Sequence, residues 1–238
     1  MELVVEWLSR IDYRAAWARQ HALVASRAAG EVPDTLLVME HPPVLTLGRQ
    51  ADAGFVRASQ AELAARGIEL IRVERGGEVT YHGPGQLVAY PIVRLADRGI
   101  LLRPFVRALE AAMAETCAAY GVASGRRDGH PGCWVDPNGP APRKVGALGI
   151  RVERGVSYHG IALNVTTDLE AFELIDPCGM PDVIVTSIAT EAGWPDPSPT
   201  TASVREAADR FARILATTLE TGGDLPARPI PTAALAGS

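Results

Sequence analysis

The chain has 238 residues, 47% hydrophobic and 21% charged, with a formal net charge of −5, which is long enough to build one sizeable core. No basic run or arginine-rich tail offsets the negative balance, so nucleic acid is excluded as the main partner, and no uncharged apolar run reaches membrane-spanning length. Three cysteines (Cys117, Cys133, Cys178) form no CxxC pair, and the start MELVVEWLSRIDYR lacks the basic and apolar regions of a signal peptide, so the expected compartment is the reducing cytoplasm.

In chain order, ELVVEWL reads as a strand, and DYRAAWARQHALVASRAAGE has helical spacing that offers Ala15, Trp17, His21, Leu23 and Val24 to a buried side. TLLVMEH and VLTLG are short strands around His41-Pro42-Pro43, a turn no helix could cross. A short helix, SQAELAARG, leads into the strand IELIRVER, and QLVAYPIV is β-like after a glycine-rich interruption. RPFVRALEAAMAETCAAYG is the clearest helix, with Pro104 early and Gly121 just past its end. The middle, ASGRRDGHPGCWVDPNGPAPR, reads as loop with one short strand at Cys133-Trp134-Val135. KVGALGIRV and YHGIALNV read as a β pair, DLEAFELI as a short helix, and ASVREAADRFARILATTLE as the last long helix, with Thr200 to Ser203 available as caps. Strands and helices alternate without a regular βαβ beat. The expectation is therefore an α+β single domain, a mixed β-sheet flanked by helices, over residues 1–222, with a Pro/Ala/Gly-rich tail at 223–238 that packs little.

Chemistry concentrates in a few places. RGGEVTYHGPGQ, Arg75 to Gln86, holds more glycine than a hairpin needs and brings Arg75, Thr80, Tyr81, His82 and Gln86 together, the composition of a ligand-contacting loop. It matches neither a P-loop nor GxGxxG opening a helix. The segments VERGGEVTYHG (73–83) and VERGVSYHG (152–160) echo each other, either as two similar strand–turn–strand elements or as two walls of one cleft. Of the cysteines, Cys117 lies on the apolar side of a helix and Cys133 sits in HPGCW, where His130 makes only an HxxC pair, so both read as structural and no metal site is expected. Cys178, between Pro177 and Gly179, is the best nucleophile candidate, although a thiol at its ordinary pKa near 8.5 is only about 3% thiolate at pH 7. His21 reads as packed in its helix and His41 as part of a turn, while His82 and His159 either line a site or end strands. Lys144 is the sole lysine among 23 cationic residues. An arginine there could supply charge, but only a lysine can give up and regain a proton.

These stretches resemble, in order, the blocks of the octanoyltransferases that begin protein lipoylation, also called lipoate-protein ligase type B. RGGEVTYHGPGQLVAYPI is similar to their signature, and EHPPVLTLGR (40–49), RKVGALGIRV (143–152), HGIALNV (159–165) and DLEAFELIDPCGMPDVIVTSI (168–188) are similar to their other blocks. The resemblance implies a biotin/lipoate-protein ligase-like fold. It also implies transfer of an octanoyl group, carried on the phosphopantetheine arm of acyl carrier protein, to a lysine of a lipoyl domain of a 2-oxoacid dehydrogenase E2 subunit or of the glycine-cleavage H protein. On this resemblance Cys178 is the acyl-thioester nucleophile and Lys144 lowers its pKa and acts as acid/base. Arg75, Gly76, Gly77, Glu78, Val79, Thr80, Tyr81 and His82, with Ala147, Leu148, Gly149, Gly160, Ile161 and Ala162, contact substrate. No ATP, metal or other cofactor is implied, and no membrane or nucleic-acid partner. Leu87, Val88 and Ile161 are candidates to close over the acyl chain. The basic residues Arg126, Arg127, Arg143, Lys144, Arg151 and Arg154 are candidates to dock the carrier. Two other readings stand beside this one: an ATP-dependent lipoate or biotin ligase on the same fold, and a non-catalytic acyl-binding module.

Overall fold

A computed structural model describes residues 2–180, 182–195 and 201–221. The chain runs β1 (Leu3–Arg10), α1 (Tyr13–Ala29), β2 (Asp34–Glu40), β3 (Val44–Leu47), α2 (Gln60–Ala65), β4 (Glu69–Arg72), β5 (Val79–His82), β6 (Gln86–Ile92) and α3 (Leu102–Ala118). It continues through β7 (Ser124–Arg127), β8 (His130–Val135), β9 (Arg143–Glu153), β10 (Val156–Asn164), β11 (Ile184–Val185), α4 (Ile188–Glu191) and α5 (Thr201–Glu220). The larger sheet has the order β1-β2-β6-β10-β9-β8-β7, with β11 added beside β9, and the smaller has the order β4-β3-β5. β1/β2, β3/β4 and β9/β11 pair in parallel and the remaining neighbours antiparallel. This is the expected mixed α+β single domain.

β2, β6 and β10 are buried along their whole length because both faces of the large sheet are covered. Leu36, Val38, Leu87 and Ala89 pack with Phe105, Leu109 and Met113 of α3 and with Phe211 and Leu215 of α5. The alternate residues Leu37, Met39, Val88 and Tyr90 meet Ala16 of α1 on the other face, as the period-2 alternation of a strand requires.

The buried side of α1 differs in part from the expected one, although Val24 is buried and Trp17 and Leu23 pack half-buried against the core as expected. It consists of Tyr13, Ala16, Gln20, Val24 and Arg27, whereas Ala15 and His21 are exposed. Asp12 caps the helix by accepting from the Ala15 amide at 3.1 Å, which fixes where it starts. Gln20 and Arg27 are tolerated inside because each is paired: Gln20 Oε1 accepts from the His159 amide at 2.7 Å, and Arg27 donates to Asp34 at 2.8 Å and to Asp97 at 2.7 Å. The middle segment is also more regular than expected. β7 and β8 form a hairpin that extends the large sheet, with β8 starting at His130 rather than Cys133. Pro131 and Gly132, poor strand formers, concealed its first half. DLEAFELI forms a short 3-10 helix over Glu170–Leu174. The tail 223–238 and the Thr200 cap lie outside the described residues.

Candidate functional site

A cavity of about 640 Å³ opens between the two sheets. One wall is the segment Arg75–Thr80 with His82, and the other is β9 and β10 through Ala147–Val152 and His159–Ala162. Small residues make this wall. Ala147 faces Ala162 and Gly149 faces Gly160 across the β9/β10 ladder, which leaves room where larger side chains would fill it. The approach is closest at Gly149, where a Cβ would lie 2.6 Å from the Gly76 carbonyl oxygen. The Gly76 amide in turn donates to the Ile150 carbonyl at 3.2 Å, so the glycine-rich segment is fastened across the larger sheet. The two echoed sequences are thus opposite walls of one cleft.

Cys178 and Lys144 meet at this cavity. Cys178 lies in a 3-10 turn, Pro177–Gly179, with φ +58, a left-handed backbone that costs a non-glycine residue of order 1–2 kcal/mol. The turn is held from outside: the Asp176 amide donates to the Phe55 carbonyl at 2.7 Å, and Arg57 Nε donates to Asp176 Oδ1 at 2.6 Å. Lys144 is buried. Its Nζ donates to Cys178 Sγ at 3.1 Å and to the Pro131 carbonyl at 3.0 Å, and lies 4.9 Å over the Trp134 ring. Trp134 pairs with Lys144 across β8/β9 and is fully buried, so its ring face is a fixed platform for an ammonium. The Thr186 amide donates to the Lys144 carbonyl at 2.9 Å, tying the lysine strand to the chain that leaves Cys178.

The far end of the cavity is polar. Arg75 is buried and donates from Nη2 to the Thr46 carbonyl and hydroxyl, at 2.7 and 2.8 Å, and from Nη1 to the Gly76 carbonyl at 3.0 Å. His82 Nδ1 donates to Gln86 Oε1 at 2.7 Å, and Gln86 Nε2 donates to Asn164 Oδ1 at 3.0 Å. His41, also buried, donates from Nδ1 to the Ile11 carbonyl at 2.7 Å. Its Nε2 therefore accepts from the Tyr90 hydroxyl at 2.9 Å. Burial holds the histidine rings and the neighbouring Tyr13 neutral, while Arg75 keeps its charge. It lowers the His41 pKa to about 4 and the His82 pKa well below its ordinary value, lowers that of His159, and pushes Tyr13 up to about 12.

Thirteen of the fourteen expected substrate-contacting residues line the cavity, as do Cys178 and Lys144. Tyr81 does not: it turns into the small core, its ring edge-on to Phe172 at 5.6 Å. Leu87 and Val88 also lie elsewhere, in the cores on the two faces of the large sheet. His21 is exposed, its Nε2 2.9 Å from Glu74 Oε1. Cys117 and Cys133 are wholly buried. Lining residues the sequence did not mark include Tyr13, Tyr90, Leu102, Val106, Gly129 and Met180, and His130, read only as a weak metal hint, lines it too. They come from elements distant in sequence, and no local pattern announces them. Among the described residues, no cluster of His, Cys, Asp or Glu is arranged to hold a metal ion, and no helix is long and apolar enough to cross a membrane.

The model of the lipoyl protein ligase A/B catalytic domain matches residues 12–215. The octanoyltransferase of Chloroflexus aggregans is 46% identical over 214 residues, covering 90% of this chain and 93% of that protein. The chain belongs to the octanoyltransferase branch of that family. A second relative, the octanoyltransferase of Acidobacterium capsulatum, is 45% identical over 230 residues, 92% of this chain and 93% of its own. The family's fold is shared more widely. A bipartite lipoate protein ligase from Thermoplasma acidophilum superposes with a TM-score of 0.61 at 15% identity, over 90% of this chain and 84% of that one. A lipoate-protein ligase A bound with ATP gives 0.58 at 16% identity, over 90% and 85%. At such identities the likeness is one of fold.

Proposed function

We propose that this protein is an acyltransferase that moves an octanoyl group from octanoyl-acyl carrier protein to the ε-amine of a lysine on a lipoyl domain, by way of a thioester on Cys178. The observation that carries this reading is the 3.1 Å contact between Lys144 Nζ and Cys178 Sγ at the wall of the cavity. In the first half-reaction the Cys178 thiol passes its proton to the Lys144 amine and its sulfur attacks the donor carbonyl. The bond from that carbonyl to the carrier's sulfur breaks, and the carrier thiolate takes the proton back from Lys144. In the second, the acceptor amine attacks the Cys178 thioester and gives its proton to Lys144. The amide forms, the carbon–sulfur bond breaks, and Cys178 leaves as thiolate to be reprotonated by Lys144. Each half exchanges one acyl bond for another, so the donor's own thioester supplies the activation and no nucleotide enters. The small residues Ala147, Gly149, Gly160 and Ala162 leave room for the alkyl chain.

Transfer from octanoyl-acyl carrier protein to a purified lipoyl domain, measured without ATP, tests the reading. Product is expected, and product only when ATP and free octanoate are added would make the protein a ligase instead. Lys144→Arg keeps the charge and loses the transferable proton, so turnover should fall by roughly 10²- to 10⁴-fold. Near-normal turnover would show that charge alone suffices.

A further inference from the structure

The mouth of the cavity brings exposed apolar residues and unpaired positive charge together. Among the described residues the exposed large hydrophobics are Val5, Leu101, Leu102 and Ile184, and Leu101 is 77% exposed. Two of the four are therefore adjacent, at the start of α3, and Leu102 and Val106 of that helix line the cavity. Arg103 and Arg107 follow Leu102 and Val106 by one position and are exposed. Their i, i+4 spacing sets them side by side on the next face of the helix.

Several arginines elsewhere on this net-negative chain are neutralised: Arg10 by Glu40, Arg14 by Glu69, Arg143 by Glu191 and Arg210 by Glu206. Arg126, expected from the sequence to be available to a partner, is taken up by Glu110 at 2.9 Å and has Asp128 at 3.7 Å. Arg103 and Arg107, among the described residues, have no carboxylate partner. Arg127 lies 5.1 Å over the Trp134 ring, on the β7–β8 hairpin that packs beside α3 and whose Gly129 and His130 line the cavity.

We infer that the start of α3, with Leu101, Arg103 and Arg107, joined by Arg127 of the adjacent hairpin, is the surface on which an acidic carrier protein rests while its thioester enters the cavity. This rests on the acyl-transfer reading and names the donor's seat. The charge argument selects the occupant. An acidic partner is repelled by the chain as a whole, so productive encounters need a local patch of unpaired positive charge at the entrance. The adjacent leucines supply apolar area at its centre, as a protein interface requires and a small diffusible thioester does not.

The test compares acyl-enzyme formation from two donors, octanoyl-acyl carrier protein and the small thioester octanoyl-N-acetylcysteamine, in the unaltered protein, in Arg103→Glu/Arg107→Glu and in Leu101→Ser. With the carrier donor at low salt, the charge-reversal variant should acylate roughly tenfold or more slowly, and the difference should shrink as salt rises. Leu101→Ser should slow the same step at every salt concentration. With the small thioester all three proteins should acylate equally, and discharge to a lipoyl domain should be unchanged. Equal losses with both donors would overturn the docking surface, as would a loss confined to discharge, which would give this face to the acceptor. If the unaltered protein acylates with neither donor, the acyltransferase reading itself fails and the docking surface with it.

Discussion

The segments 73–83 and 152–160 begin with the same Val-Glu-Arg-Gly and end with the same Tyr-His-Gly, yet fold differently. In the second, Arg154 (φ +50) and Gly155 (φ +79) form a two-residue turn, and Glu153 pairs directly with Val156, the geometry of a type I′ hairpin. In the first, two additional residues prevent that closure. The strand before it, β4, and the strand after it, β5, are separated by β3, and the extra length becomes the cavity wall. Arg75 is buried against backbone carbonyls, whereas its counterpart Arg154 is exposed. The two segments also meet: Glu74 of the first lies 3.6 Å from His159 of the second. A two-residue difference thus separates a turn that only connects strands from one that walls the cavity.

Acidification should affect both segments at once and give the largest effect. His82 and His159 have folded pKa values lowered by burial, and so has their neighbour His41, at about 4. The unfolded chain takes up protons near pH 6.5 while the folded chain does not, so stability is lost as pH falls through that value toward 4, His41 alone contributing on the order of 3 kcal/mol. Denaturant midpoints at pH 7 and pH 5 would show it, and a flat profile would mean that these rings are not held neutral.

Gly149→Val should cost about 1–3 kcal/mol, because its Cβ meets the Gly76 carbonyl oxygen at 2.6 Å. It should also narrow the cavity, so octanoyl uptake should fall with it, and unchanged uptake would place the acyl chain elsewhere. Gly155→Ala separates space from conformation. Nothing lies within 4 Å of its Cβ, but its φ is +79, so a loss of about 1 kcal/mol with full activity is expected. Arg154→Ala should change stability by less than about 0.5 kcal/mol and leave transfer untouched.

Much of this was legible in the sequence. The strands β9 and β10, the helix α3 and the pairing of Cys178 with Lys144 followed from local pattern and from blocks that resemble a known family. What escaped has physical causes. The buried side of α1 is set by partners for Gln20 and Arg27, His159 and Asp97, that lie far along the chain. Tyr81 sits in a glycine-rich segment but on a strand whose alternation turns it inward. The first half of β8 hides behind Pro131 and Gly132, although the Pro131 carbonyl proves to be a hydrogen-bond partner of Lys144. The polar end of the cavity combines Tyr13, His82, Tyr90 and His159 from four different elements, a convergence that exists only in the folded chain.

The most direct test of the Cys178–Lys144 account is intact-protein mass spectrometry after mixing the protein with octanoyl-acyl carrier protein in the absence of ATP. The account predicts the gain of one octanoyl group, absent in Cys178→Ser and discharged when a lipoyl domain is added. An unchanged mass in the unaltered protein, or an equal gain in Cys178→Ser, would contradict it.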